Sequence, residues 1–171
     1  MPRLFSAKVV LYFIFLMVLD GTVFPVLHIQ NAYPTFLGLM ICYSAFEWGP
    51  QRTIYVAFWA GLLRDFFGAG CLGLEASLYV TLALGLNFVV QKIEREFPGI
   101  YFLITFLFIF MAGALRLLFG YTAELSAAMA GNSLGLIALT AVYSAALLPF
   151  FYFMTDRWLG QSNIKQYELF R

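Results

Sequence analysis

Residues 100–115 read IYFLITFLFIFMAGAL, sixteen positions without a charged side chain. Wound as a helix at about 1.5 Å per residue, this run alone crosses most of a hydrocarbon layer about 30 Å thick. A second run, VVLYFIFLMVL at residues 9–19, has the same character. Soluble proteins leave single apolar residues exposed, but not runs of this length. Of the 171 residues, 63% are hydrophobic and 11% charged, far outside the soluble range. Lipid is the solvent that fits, and the expected fold is all-α: a polytopic membrane helix bundle forming one transmembrane domain over residues 1–171.

Breakers and charges divide the chain into six candidate spans, roughly 8–28, 34–47, 52–68, 72–91, 98–120 and 132–155, with a short tail over 156–171. The second and third are shorter than the roughly 20 residues that a full crossing takes. They tilt little, thin the bilayer locally or are partly re-entrant. Gly49-Pro50 separates them, because proline interrupts the helical ladder and glycine permits the turn. The tail mixes Trp158, Leu159, Ile164, Tyr167, Leu169 and Phe170 with three cations, and reads as a short interfacial helix or a frayed end. Met1–Gly21 has the length of a signal peptide, but no A-x-A-like cleavage site follows, so it is expected to stay as the first span.

Lys and Arg collect in short cytoplasmic loops. Starting inside, Arg3, Lys8, Arg52, Lys92, Arg95, Arg157, Lys165 and Arg171 fall on the cytoplasmic side. Arg64 and Arg116 fall toward the outer side, each within a span. Both termini are therefore expected in the cytoplasm, which favours six spans over five. Tyr33, Trp48, Tyr101, Tyr121 and Trp158 flank the spans, where amphipathic rings settle among headgroups. A net charge of +1 gives no basic field for nucleic acid. Cys42 and Cys71 lack CxxC spacing and read as small packing residues.

Charged side chains within hydrocarbon are expensive and need partners or a wet cavity. Gly61, Arg64, Asp65 and Gly68 share one face of the third span. Counted from Arg52, Arg64 lies about 18 Å across, in the outer half of the bilayer. Asp20 reaches a similar depth, Glu75 opens the fourth span, Arg116 shares a face with Gly113 and Gly120, and Glu124 follows in the outer loop. Six charges from distant parts of the chain thus gather at one level: Asp20, Arg64, Asp65, Glu75, Arg116 and Glu124. The inner half holds no such cluster. Two readings stand: the arginines pair with acids on neighbouring helices and fix helix order, or the group lines an outward-opening pocket or docking surface.

Small residues four apart let helices approach closely in lipid. Ala57 and Gly61; Ser77, Thr81 and Gly85; Gly131 and Gly135; and Ala141 and Ala145 have this spacing, and serve internal packing or partner binding. No catalytic constellation is visible. His28, the only histidine, sits beside Gln30 and Asn31 at a span end, and Ser126, Ser133 and Ser162 have no histidine placed to activate them. GxxxxGK[ST] is absent, and no cofactor or metal site is expected.

At 61–78 the chain reads GLLRDFFGAGCLGLEASL. This resembles the rod shape-determining protein MreD family, in which a helix ending in Gly-Leu-Leu-x-Asp is followed by a glycine-containing turn and by Leu-Gly-Leu opening the next helix. Gly61, Leu62, Leu63, Asp65, Gly68, Leu72, Gly73 and Leu74 carry the resemblance, and Pro25 near the outer end of the first span agrees with it. Arg64 stands where an apolar residue is commoner. Gly61, Gly68, Gly73 and Gly113 are expected as helix-packing positions, and the resemblance implies a fold similar to the substrate-binding subunits of energy-coupling-factor vitamin transporters. It also implies a non-enzymatic component of the bacterial lateral-wall elongation machinery in the cytoplasmic (inner) membrane. Its partners there would be an MreC-like membrane protein, the actin-like MreB and a transglycosylase–transpeptidase pair. The alternative is a vitamin-binding transporter subunit. Such subunits often carry small residues at four-residue spacing on the first helix, where this chain has the bulky Tyr12, Phe13, Ile14, Phe15 and Leu16.

Overall fold

Every regular element among the described residues is a helix. The computed structural model describes residues 7–23, 34–67, 73–92, 98–120 and 127–159. Within them lie α1 (Ala7–Val23), α2 (Phe36–Glu47), α3 (Pro50–Phe67), α4 (Leu74–Lys92), α5 (Pro98–Gly120), α6 (Ala127–Ala146) and α7 (Leu148–Leu159). A helix satisfies its own backbone hydrogen bonds, which is why apolar sequence adopts it in lipid. Among the described residues α4 and α5 are long and apolar enough to cross a bilayer alone, and the bent pair of α6 and α7 makes a third candidate. Large apolar side chains cover the outside: Leu11, Ile14 and Val18 on α1, Phe66 on α3, Phe88 on α4, Leu103 and Leu107 on α5, and Phe150 and Phe153 on α7 are all exposed. This surface, together with the composition, makes the chain an integral membrane protein.

α2 is the axis of the bundle. Phe36 to Phe46 are buried without exception, and every other helix touches α2. Apolar on all sides, α2 has no face to offer water. Its 12 residues span only about 18 Å. Helices rather than lipid surround it, so its length need not match the bilayer.

The candidate span at 132–155 is bent. α6 and α7 meet at Leu147 with a bend of 49°. Pro149 has no N–H to donate to the Ala145 carbonyl, and its ring collides with that carbonyl in a straight helix. The Leu147 N–H is shared at 3.2 Å between the carbonyls of Tyr143 and Ser144, closing α6 before the turn. Residues 156–159, expected to begin the tail, continue α7.

Among the small-residue sets, Ala57, Gly61, Ala141 and Ala145 are buried between helices, whereas Ser77, Thr81 and Gly85 face outward. Gly131 lies among residues whose side-chain surroundings are outside the described set. Gly61 sits so close to α4 that a Cβ there would lie 2.4 Å from Ala76 Cα, backbone against backbone. Gly85 faces open space. Gly61→Ala therefore forces α3 and α4 apart and is expected to destabilise the protein by about 1–3 kcal/mol. Gly85→Ala should stay within about 0.5 kcal/mol of the parent. Thermal unfolding of the two variants side by side in one detergent checks the contrast.

Candidate functional site

The residues around Asp65 build the site from the backbone outward. Asp65 lies near the C-terminal end of α3 and is buried. Its Oδ2 accepts the backbone N–H groups of Gly73 at 3.0 Å and Ala76 at 3.1 Å, and its Oδ1 accepts that of Glu75 at 3.0 Å. The first N–H groups of a helix have no partner within the helix, so a side chain of α3 does for α4 what an N-cap residue of α4 would otherwise do. Gly73 makes this possible with φ at +94°, in the left-handed region that L side chains rarely adopt. Gly61, one turn before Asp65, lets the two helices come near enough for the carboxylate to reach.

Asp20 repeats the device. Near the end of α1, its Oδ1 accepts the N–H of Phe36, the first residue of α2, at 2.9 Å. The next N–H outward, that of Thr35, donates to Ser144 Oγ on α6 at 3.1 Å. Thus α2, buried throughout, has its start fixed from two other helices. Each aspartate stands at the C-terminal end of its own helix, where the macrodipole disfavours a negative charge. Each is also at the N-terminal end of the next, where it is favoured.

Ion pairing completes this end of the bundle. Arg116 of α5 faces Glu75 of α4 through two contacts, Nε to Oε1 at 2.5 Å and Nη2 to Oε2 at 2.6 Å, a side-on fork. Arg64 Nη1 donates to Tyr79 Oη at 2.6 Å, and its charge acts attractively on Asp20. Of the six charges grouped from the sequence, Asp20, Arg64, Asp65, Glu75 and Arg116 are brought to this end. Glu124 and Gly68 lie outside the described residues. Gly113 packs on α6, where a Cβ would lie 2.6 Å from Ile137 Cγ2. Among the described residues no group of three or more His, Cys, Asp or Glu is arranged to hold a metal ion.

The opposite end of the bundle carries a second polar group that the charge pattern did not reveal. Tyr43 of α2 donates to Asp156 Oδ1 of α7 at 2.6 Å, and the Tyr12 hydroxyl of α1 lies 2.6 Å from Thr155 Oγ1. Rings join these bonds: Tyr43 meets Tyr152 and Trp48 edge to face at 4.9 and 5.9 Å, and Trp158 stacks on Phe15 at 5.5 Å. The signal was present in the one-turn spacing of Tyr152 and Asp156, which puts both on one face of α7. Assigning Asp156 to a tail concealed it.

Fold and geometry together define a class: a polytopic helical membrane protein whose helix starts are pinned by carboxylates from the preceding helix. The chain belongs to the family described as rod shape-determining protein MreD, whose sequence model matches residues 1–157. It is thereby a rod shape-determining membrane protein. No curated protein and no solved structure matches it.

Removing the Asp65 carboxylate leaves three N–H groups unpaired. Asp65→Ala is expected to lose about 3 kcal/mol, at about 1 kcal/mol per bond, and Asp65→Asn less because one acceptor oxygen remains. For the half-exposed Arg116, a double-mutant cycle of Glu75→Gln with Arg116→Gln is expected to return a coupling of only about 1 kcal/mol. Unfolding in detergent measures both. Equal losses for Asp65→Ala and Asp65→Asn would contradict the capping assignment.

Proposed function

We propose that this chain is a non-enzymatic scaffold of the bacterial cell-wall elongation machinery. It holds an MreC-like membrane protein and through it helps control cell shape and lateral peptidoglycan synthesis. The observation that carries the reading is the occupation of the charged end. Asp65 gives both oxygens to the α4 backbone, Glu75 gives both to Arg116, and Asp20 receives Phe36. Groups already committed to the chain's own donors suit a rigid frame better than a vitamin-binding pocket, which supports the scaffold over the transporter alternative. Membership of the MreD family supports the same direction.

In this reading the protein crosses the inner membrane six times with both termini in the cytoplasm. The Asp65 end faces outward. Arg52, Lys92 and Arg157 belong to the Tyr43 end, and their gathering there supports a cytoplasmic assignment for it. The actin-like MreB and a transglycosylase–transpeptidase pair are the further partners of the assembly, with lipid around the bundle.

Co-purification in mild detergent is expected to recover the MreC-like partner in stoichiometric amount, and depletion of the chain in a rod-shaped host to round the cells. Recovery of the isolated chain under gentle conditions, together with unchanged cell shape on depletion, contradicts the scaffold. For topology, single cysteines placed in 1–6 and in 160–171 should both react only from the cytoplasmic side, and labelling of the two from opposite sides rules out six passes.

A further inference from the structure

α6 and α7 are two regular helices joined at one residue, Leu147. Pro149 has no N–H for the Ala145 carbonyl, and the Leu147 N–H is split between the Tyr143 and Ser144 carbonyls at 3.2 Å each. Beyond the joint the ladder resumes at once, with the Phe151 N–H donating to the Leu147 carbonyl at 2.9 Å. A helix interrupted at one point, with regular turns on both sides, concentrates its compliance there. The α6 side is fixed: Ser144 Oγ accepts the Thr35 N–H at 3.1 Å, and Gly113 of α5 packs against Ile137. Motion at the joint is therefore motion of α7.

Hydroxyl groups hold the far end of α7. The Tyr12 hydroxyl lies 2.6 Å from Thr155 Oγ1, and Tyr43 donates to Asp156 Oδ1 at 2.6 Å. Rings add to these bonds: Phe151, one turn from the joint, meets Phe36 at 6.5 Å, and Trp158 stacks on Phe15 at 5.5 Å. Apolar contact of this kind holds a helix weakly in a bilayer, because a lipid tail replaces it at little cost. Tyr12 lies five residues from the start of α1 and Tyr43 four from the end of α2. Both are thus within about 8 Å of a helix end, where water and headgroups offer their hydroxyls other partners.

From this arrangement we propose that α7 is a strap that pivots at Leu147, latched along α1 and α2 by the Tyr12–Thr155 and Tyr43–Asp156 bonds. In its second position α7 swings toward line with α6. With α7 about 18 Å long, closing the 49° bend carries its far end by about 15 Å. Release exchanges apolar contact between helices for contact with lipid, and two hydroxyl bonds for bonds to water, which keeps the two positions close in free energy. It uncovers Tyr12, fully buried when the strap is docked, and the part of α2 that carries Tyr43. The strap goes beyond the scaffold reading and does not depend on it.

Pulsed distance measurements between spin labels, on the full chain in lipid nanodiscs, read the position of α7. One label stands at the exposed Arg157, paired in turn with a label at the exposed Leu103 of α5 and at the exposed Leu11 of α1, after Cys42 and Cys71 are replaced by alanine. Tyr12→Phe and Tyr43→Phe keep the rings and remove one latch each. Each is expected to raise the ratio of released to docked α7 about fivefold, and the two together to raise it further. The released strap appears as a second distance, displaced by about 10 Å in at least one of the two label pairs. Pro149→Ala, which returns an N–H to the Ala145 carbonyl, should populate the same second distance with both latches in place. Each variant is melted alongside the parent, and the single variants decide the matter if the doubly substituted chain does not fold. Distances that stay at the parent value in all four variants, or merely broaden around it, overturn the strap. A second distance in Pro149→Ala alone would leave a hinge but overturn the assignment of the two hydroxyl bonds as its latch.

Discussion

The bundle depends on carboxylates that reach across to the first N–H groups of another helix. In hydrocarbon no water is present to satisfy those groups, so a helix start there needs an acceptor from the protein itself. Most helix starts solve the problem locally with Ser, Thr, Asp or Asn at the N-cap. Here α2 has Thr35 at that position without a side-chain cap, and Asp20 of α1 supplies the acceptor instead. α4 is preceded by Gly73, which has no side chain to offer, and Asp65 of α3 takes its place. A cap supplied from another helix does more than satisfy a donor. It fixes where one helix begins relative to its neighbour, which apolar packing alone specifies weakly because lipid tails are as apolar as leucine.

The other contacts build on these two anchors. Gly61 brings α3 and α4 into backbone contact, the Glu75–Arg116 fork ties α4 to α5, and Arg64 spans from α3 to Tyr79 of α4. With α2 held at its start by Asp20 and Ser144 and enclosed along its length, the bundle has a helix as its internal axis. At the far end, tyrosine hydroxyls from α1 and α2 hold α7 after the bend at Leu147. One end of the molecule is fixed by formal charge and backbone dipoles, the other by aromatic hydroxyls.

Much of this was legible in the sequence. Apolar runs such as 100–115 set the solvent and the helical class, and Gly49-Pro50 marked the turn between α2 and α3. The grouping of Asp20, Arg64, Asp65, Glu75 and Arg116 at one level followed from rise per residue and from the placing of span ends. The use made of those charges was less legible. Spacing places a carboxylate at a depth, but it does not say whether its partner is an arginine or a row of backbone N–H groups, since backbone donors leave no mark in side-chain pattern. Reading α2 as a short span missed its central place, because a helix apolar on every side has no periodicity to show which neighbours enclose it. Pro149 carried the signal for the bend between α6 and α7, and reading 132–155 as continuous passed over it. Asp156 was hidden by the same boundary.

Hydrogen exchange of individual backbone amides, followed in detergent or lipid nanodiscs, tests the central claim most directly. The N–H groups of Phe36, Glu75 and Ala76 belong to the first turns of their helices, which ordinarily fray and exchange quickly. If Asp20 and Asp65 cap these turns, the three amides exchange as slowly as those in the middle of α2 and α4. Replacing Asp65 then accelerates Glu75 and Ala76 while leaving Phe36 protected. Rapid exchange at all three in the parent protein would contradict the account.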